Sequence, residues 1–283
     1  MAELVSRRIQ TAGFSLRVPL GTWGLRFMAA SYLFLLVAVP IGVVAVTGFR
    51  DGIDAFWGSI QHPIALHALK VTVKTALIMS VINTIMGTLT AYLLVKYRFP
   101  GKAFFNMFVD LPFAIPTLVT GVMLVLLYGP QTVLGKLFQE ETGQQVLFSQ
   151  NGIVLALLFV SYPFVIRTVQ PVLMELSISQ EEAAHSLGAS GWTTFWRVIF
   201  PAIRPAVLSG ALLSFARALG EFGSIIIVAG NIPMKSQTAT VYIYAQVEGG
   251  NLQAASSVSL ALIGIALGVT LLVDLFKWRK SHA

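Results

Sequence analysis

The chain has 283 residues, a formal net charge of +7 and no cysteine. A mean hydropathy of +0.78, with 56% hydrophobic and 11% charged residues, excludes an ordinary soluble domain, in which about 25% of residues are charged. Without cysteine there can be no disulfide, thiolate metal site or cysteine nucleophile. Without a G-x4-G-K-[ST] run there is no P-loop for ATP.

Six stretches are apolar and long enough to cross a bilayer core of about 30 Å: residues 25–47, 71–95, 103–128, 153–169, 205–230 and 256–276. They predict an all-α integral membrane protein with six transmembrane helices. Arg7 and Arg8 precede the first stretch in a long charged lead, which reads as a retained anchor rather than a cleaved signal peptide. The third stretch carries Pro112 and Pro116, where a kink is expected. The fourth is short, interrupted by Pro163 and closed by Arg167. Residues 1–24 and 277–283 are left as terminal segments, with a membrane domain over 25–276.

Lysine and arginine orient these spans. With the N-terminus inside, thirteen basic residues fall on inner segments and five on outer ones, and Arg217 lies within a span. Both termini are therefore expected in the cytoplasm. The basic charge reads as a topology signal, with membrane lipid and not nucleic acid as the contact.

Between the fourth and fifth stretches lies a polar island, residues 179–188. Ser179 and Glu182 have the S-x-x-E spacing of a capping box. Ala183 and Ala184 favour helix, and Gly188 stands where a left-handed residue would end it. Next, Trp192, Phe195, Trp196 and Ile199 form one apolar stripe on a second short helix, which Pro201 is expected to stop. Tryptophans on such a stripe suit a membrane–water interface. The spacing Glu182-Ala183-Ala184, three residues, Gly188, nine residues, Val198-Ile199-Phe200-Pro201 resembles the EAA loop of ABC-importer permeases, with Val198 and Phe200 replacing the usual Ile and Leu. That resemblance implies a type I importer (MetI-like) fold. It also implies a cytoplasmic coupling loop at about 170–204 that enters a groove on a separate ATPase, with Glu182, Ala183, Ala184 and Gly188 in the coupling role.

The run from Arg217 to Gly223 places Arg217 and Glu221 within the fifth stretch. A charge near a bilayer centre costs about 2.5–3.5 kcal/mol on insertion scales, so each needs a partner or a cavity. At i,i+4 the two can pair on one helix face. Two readings stay open. In one, a self-neutralising pair holds helices together. In the other, Arg217 is a cationic point on an anion pathway, held by Glu221, with Gly220 and Gly223 loosening the helix and exposing backbone amides.

Gly220-Glu221-Phe222-Gly223, Tyr97-Arg98-Phe99-Pro100-Gly101, Asp110-Leu111-Pro112-Phe113, Arg167-Thr168-Val169-Gln170-Pro171-Val172 and Ala229-Gly230-Asn231 together resemble the sulfate and molybdate branch of these permeases. The likeness runs from about Lys70 to the C-terminus and is nearest the CysT-type family of sulfate/thiosulfate importers. It implies a second, CysW-type permease, two CysA-type ATP-binding subunits and an external sulfate/thiosulfate-binding protein. It implies alternating access and no covalent chemistry in this subunit: no catalytic residue, cofactor or metal. A molybdate or tungstate permease is the alternative within the branch. A stand-alone secondary anion transporter is the alternative outside it, and would show inverted repeats and no docking loop.

Other candidates are minor. His62 and His67, with Pro63 between, read as outer-interface residues rather than metal ligands. Asp110 reads as a local N-cap and Asn83 as an interhelical hydrogen bond. Asp274 beside Lys277 reads as an ion pair, and the polar segment 231–253 as a connector or a surface for a delivery protein.

Overall fold

The structure is a computed structural model, described here for the backbone of residues 20–281 and the side chains of residues 23–271. The expected Asp274–Lys277 pair lies outside the described side chains, as do Arg7 and Arg8. Contact density divides the chain into residues 1–46 and residues 47–283. The first span comprises α1 (Leu20–Leu33), a π-helical turn (Phe34–Ala38) and α2 (Val39–Gly48). It is apolar on all sides, and its most hydrophobic window buries nothing.

The larger unit begins with α3 (Ile53–Gln61), which buries Phe56 and Ile60, one turn apart. After His62 breaks the chain, Pro63 starts α4 (Pro63–Lys96) at a position where its missing N–H is not needed. The 34 residues of α4 span about 51 Å, so it extends well past a bilayer core. Then come α5 (Lys102–Ala114), α6 (Thr117–Tyr128), α7 (Val133–Thr142) and α8 (Gln150–Glu175). They are followed by α9 (Ile178–Ser186), α10 (Gly191–Thr194), a π-helical turn (Phe195–Ile199) and α11 (Phe200–Leu219). Last are α12 (Gly223–Ala229), α13 (Ala239–Glu248) and α14 (Leu252–Ser281). Among the described residues five helices are long and apolar enough to cross a membrane, or six if the bent pair α5 and α6 counts as one span.

The centre is α8, held between α4 and α11. Glycines set the spacing: a Cβ on Gly87 of α4 would lie 2.9 Å from the Val165 Cβ, and one on Gly210 of α11 would lie 3.0 Å from the Val165 Cα. Polar groups stitch the same surfaces. Asn83 donates to the Leu158 carbonyl at 3.3 Å, the interhelical bond expected of it, and Ser80 donates to the Ala211 carbonyl at 3.0 Å.

Prolines behave unevenly. Pro116 leaves Ile115 extended, and α5 and α6 meet at 111°, a sharp elbow rather than a kink. By contrast α8 passes uninterrupted through Pro163, Arg167 and Pro171, so the expected break at Pro163 and closure at Arg167 are corrected. Packing on both sides outweighs the roughly 3 kcal/mol that an internal proline costs. The expected stop at Pro201 is also corrected, because residues Gly191–Leu219 form one continuous helical span. The π-turn ahead of Pro201, in which the Phe200 N–H bonds to the Phe195 carbonyl, shifts the ladder just before the residue that cannot donate.

Candidate functional site

The expected docking segment forms α9, and its C-terminus is specified as the sequence suggests. Gly188 has φ +81°. The Ala189 N–H bonds to the Ala184 carbonyl at 3.0 Å and the Gly188 N–H to the His185 carbonyl at 2.9 Å, which together make a Schellman ending. The N-terminus differs. Ser177 is the flanking residue, Ser179 is already inside the helix, and the two hydroxyls meet each other at 2.6 Å. The capping box of Ser179 and Glu182 is therefore not formed: a serine with helical backbone cannot turn its oxygen back to the next-turn amide. Glu182 is exposed and has no side-chain partner among the described residues.

The opposite face of α9 is tied to the rest of the protein. Glu181 pairs with Lys96 at the end of α4, and one turn later His185 Nδ1 meets Thr194 Oγ1 at 3.2 Å. These residues are i,i+4, so they share a face. Glu182, Leu187 and Trp192 are all exposed. Of the expected aromatic stripe Ile199 is buried, whereas Trp192 and Trp196 are exposed.

The Arg217–Glu221 region is not the middle of a continuous span. Helix α11 ends at Leu219, Gly220 is its cap, and α12 starts at Gly223. Arg217 Nη1 contacts Glu221 Oε2 at 2.8 Å across this break. Glu221 is 2% exposed, and its other oxygen accepts the Ser224 N–H and the Ser224 hydroxyl, each at 2.9 Å. Glu221 thus anchors the start of α12, while the Arg217 side chain is 33% exposed. The two glycines differ. A Cβ on Gly220 would meet nothing within 4 Å, whereas one on Gly223 would lie 2.2 Å from Thr117 Oγ1 and 3.1 Å from the Leu118 nitrogen. Gly223 lets α12 touch the first turn of α6. Gly121 continues the contact, because its Cβ would fall 2.9 Å from the Ser224 carbonyl oxygen.

A second arginine–carboxylate pair joins α5 to α8, and sequence reasoning missed it. Arg167 Nε donates to Asp110 Oδ1 at 2.7 Å and Nη2 to Oδ2 at 2.6 Å. Asp110 lies inside α5 and is not an N-cap, which corrects that expectation. The usable signal was the cost of leaving either charge alone in an apolar span. His62 flanks α3 and α4, and among the described residues no group of three or more His, Cys, Asp or Glu side chains is arranged to hold a metal. In the 231–253 segment α13 folds as a short helix. There Tyr244 has its phenol pushed above the usual value by a hydrogen bond to the neighbouring Glu248 carboxylate.

Long apolar helices, two interrupted spans and a short helical arm between α8 and α11 make up the fold of an ABC-importer permease. The chain belongs to the binding-protein-dependent transport system inner membrane component family, whose profile matches residues 83–279. Among curated relatives, the probable sulfate transport system permease protein cysT of Chlorokybus atmophyticus is 43% identical over 240 residues, covering 85% of this chain and 84% of its own. The sulfate transport system permease protein CysT of Synechocystis is 42% identical over 253 residues, covering 89% and 88%. A chloroplastic sulfate permease 2 of Chlamydomonas reinhardtii is 40% identical over 265 residues, covering 93% and 72%. A solved bacterial alginate ABC transporter, in complex with an alginate pentasaccharide-bound periplasmic protein, superposes with a TM-score of 0.76 at 18% identity. The match covers 91% of this chain and 94% of that one, and shows the type of fold. The chain is thus a transport component rather than an enzyme, a membrane subunit working with a separate ATPase and a substrate-binding protein.

Proposed function

We propose that this chain is the CysT-type half of the permease pair in an ATP-driven importer of sulfate and thiosulfate. Its partners are a CysW-type permease, two CysA-type ATP-binding subunits and an external sulfate/thiosulfate-binding protein. It sits in a bacterial inner membrane with both termini cytoplasmic. Closure of the ATPase pair moves α9, engaged through Glu182, Ala183, Ala184 and Gly188, and the pathway alternates between its two openings. The names of the relatives favour sulfate over molybdate or tungstate.

The observation that carries the oxyanion reading is the state of Arg217. A guanidinium has five N–H donors, and the one described contact of Arg217 is with Glu221. Glu221 is itself held by Ser224. The arginine is therefore fixed at one edge and open at the other, beside Gly220 and Gly223, where the helix is interrupted. A free guanidinium edge offers paired N–H groups to an oxyanion. The neighbouring carboxylate keeps the local charge near neutral, so a dianion is met without being trapped.

The double variant Arg217→Gln with Glu221→Gln tests this. Glutamine at 221 keeps an oxygen for Ser224, and removing both charges avoids stranding one of them. The assembled variant should retain ATP hydrolysis and import little sulfate. Normal uptake by that assembly would reduce the pair to a helix fastener.

A further inference from the structure

Arg167 and Arg217 each pair with a carboxylate, yet they are bonded in opposite ways. Besides the two bonds to Asp110, Arg167 Nη1 donates to Asn106 Oδ1 at 3.1 Å and to Gln170 Oε1 at 2.5 Å, and Nη2 donates to the Asn106 carbonyl at 3.0 Å. Together with the Asp110 bonds, this satisfies all five guanidinium N–H groups. No anion can bind Arg167 without displacing one of these partners. Gln170 is 4% exposed, and its amide also approaches Asn106 Oδ1 at 3.5 Å. Asn106 and Asp110 are one turn apart on α5, and Arg167 and Gln170 one turn apart on α8. The fork thus engages two positions on each helix. Phe113 of α5 packs edge-on against Phe164 of α8, with ring centroids 5.2 Å apart, and extends the same seam.

The two helices lead to the two ends of the transport machinery. Arg167 is eight residues, about 12 Å, from the end of α8, after which only Leu176 and Ser177 precede the docking helix α9. Asp110 is five residues before Ile115, where the α5–α6 elbow turns. Beyond the elbow, Thr117 touches Gly223 beside the Arg217 break.

We infer that Arg167, Asp110, Asn106 and Gln170 form a permanent clamp that makes α5 and α8 one rigid body. Displacement of α9 is thereby delivered to the elbow and on to the break that carries Arg217. These four are positioning residues, and the bending falls at Ile115 and Pro116. The inference rests on the ATP-driven import proposed above.

These 283 residues hold no cysteine, so a bridge within them can form only between introduced thiols. In the complete transporter, reconstituted with its ATPase and binding protein, Asn106→Cys and Gln170→Cys are introduced together. They are then bridged with a short bifunctional methanethiosulfonate that a reductant removes. The Arg167–Asp110 pair stays intact. The bridged complex should import at the rate of its reduced form. Import that stops on bridging and returns on reduction would overturn the clamp, because the helices would then have to part in each cycle. Failure of the pair to bridge would overturn it as well.

In a second arm, Arg167→Gln should leave ATP hydrolysis running while the anion imported per ATP falls. The expected loss is a fall in that ratio beyond the spread of repeated measurements on the parent complex. Bridging the cysteine pair in the Arg167→Gln background should restore the ratio. An unchanged ratio in Arg167→Gln would contradict the proposal, and should that variant fail to assemble, the first arm decides. The clamp is read as a ratio whichever anion is carried. Failure of the sulfate reading appears separately, as an unmodified complex that imports no sulfate.

Discussion

Replacing Gly223 by alanine should weaken the protein where α6 and α12 meet, and the same change at Gly220 should not. At Gly223 the new methyl would lie 2.2 Å from Thr117 Oγ1, 3.2 Å from Thr117 Cβ and 3.1 Å from the Leu118 nitrogen. The hydroxyl can rotate away, but the backbone nitrogen can yield only if α6 and α12 separate. Overpacking of this kind costs about 1–3 kcal/mol, offset by at most about 1 kcal/mol of alanine's helix preference. A net loss of about 0–3 kcal/mol follows, centred on about 1–2 kcal/mol, and at about 2–4 °C per kcal/mol the melting temperature should fall by about 2–8 °C at that centre. Gly220 has φ −92° and open space where its Cβ would sit, so Gly220→Ala should stay within about 0.5 kcal/mol of the parent. Thermal unfolding of the purified complex in detergent, followed by loss of soluble permease, measures both. Adding Thr117→Ala to Gly223→Ala should recover part of the loss, because the nearest clash is removed while the Leu118 contact remains. A Gly223→Ala protein as stable as the parent, or a Gly220→Ala protein that is worse, would refute the close approach of α6 and α12.

Three further outcomes are expected. Because Glu182 is exposed and caps nothing, Glu182→Gln should lose co-purifying ATPase as fully as Glu182→Ala without changing permease stability; a silent Gln variant would show that its charge is not what the partner reads. At Gly188, where φ is +81° and nothing lies within 4 Å, valine should cost backbone strain of about 1–2 kcal/mol and weaken ATPase binding, while asparagine should be much milder; equal effects would point to a steric cause. Reporters inserted at 139–149 and fused after Lys280 should be outside and inside respectively, and a cytoplasmic signal at 139–149 would break the assigned topology.

Much of the α9 arm was legible in the sequence, because a helix that ends on a left-handed residue calls for glycine, and Gly188 is there. Its start was not, because Ser177 and Ser179 both suit a cap by residue type, and the folded chain begins α9 directly after Ser177. Prolines were over-read for a similar reason. Pro112 and Pro116 have the same i,i+4 spacing as Pro201 and Pro205, yet only the first pair ends in an elbow. The difference is tertiary: α6 turns to press Gly121 against α12, while a π-turn carries α11 through its prolines. The spans themselves were readable from apolar length, but their limits were not. α4 reaches back to Pro63, and the fifth span runs from Gly191 to Leu219, which moves Arg217 from mid-span to the edge of a break. The Arg167–Asp110 fork lay hidden because its partners are 57 residues apart.

The central claim is tested most directly by uptake of radiolabelled sulfate into vesicles holding this chain with its second permease, ATPase subunits and binding protein. The account predicts ATP-dependent accumulation that excess unlabelled thiosulfate suppresses and that molybdate suppresses only weakly. Accumulation abolished by molybdate at equal concentration, or sulfate entry without ATP, would contradict it.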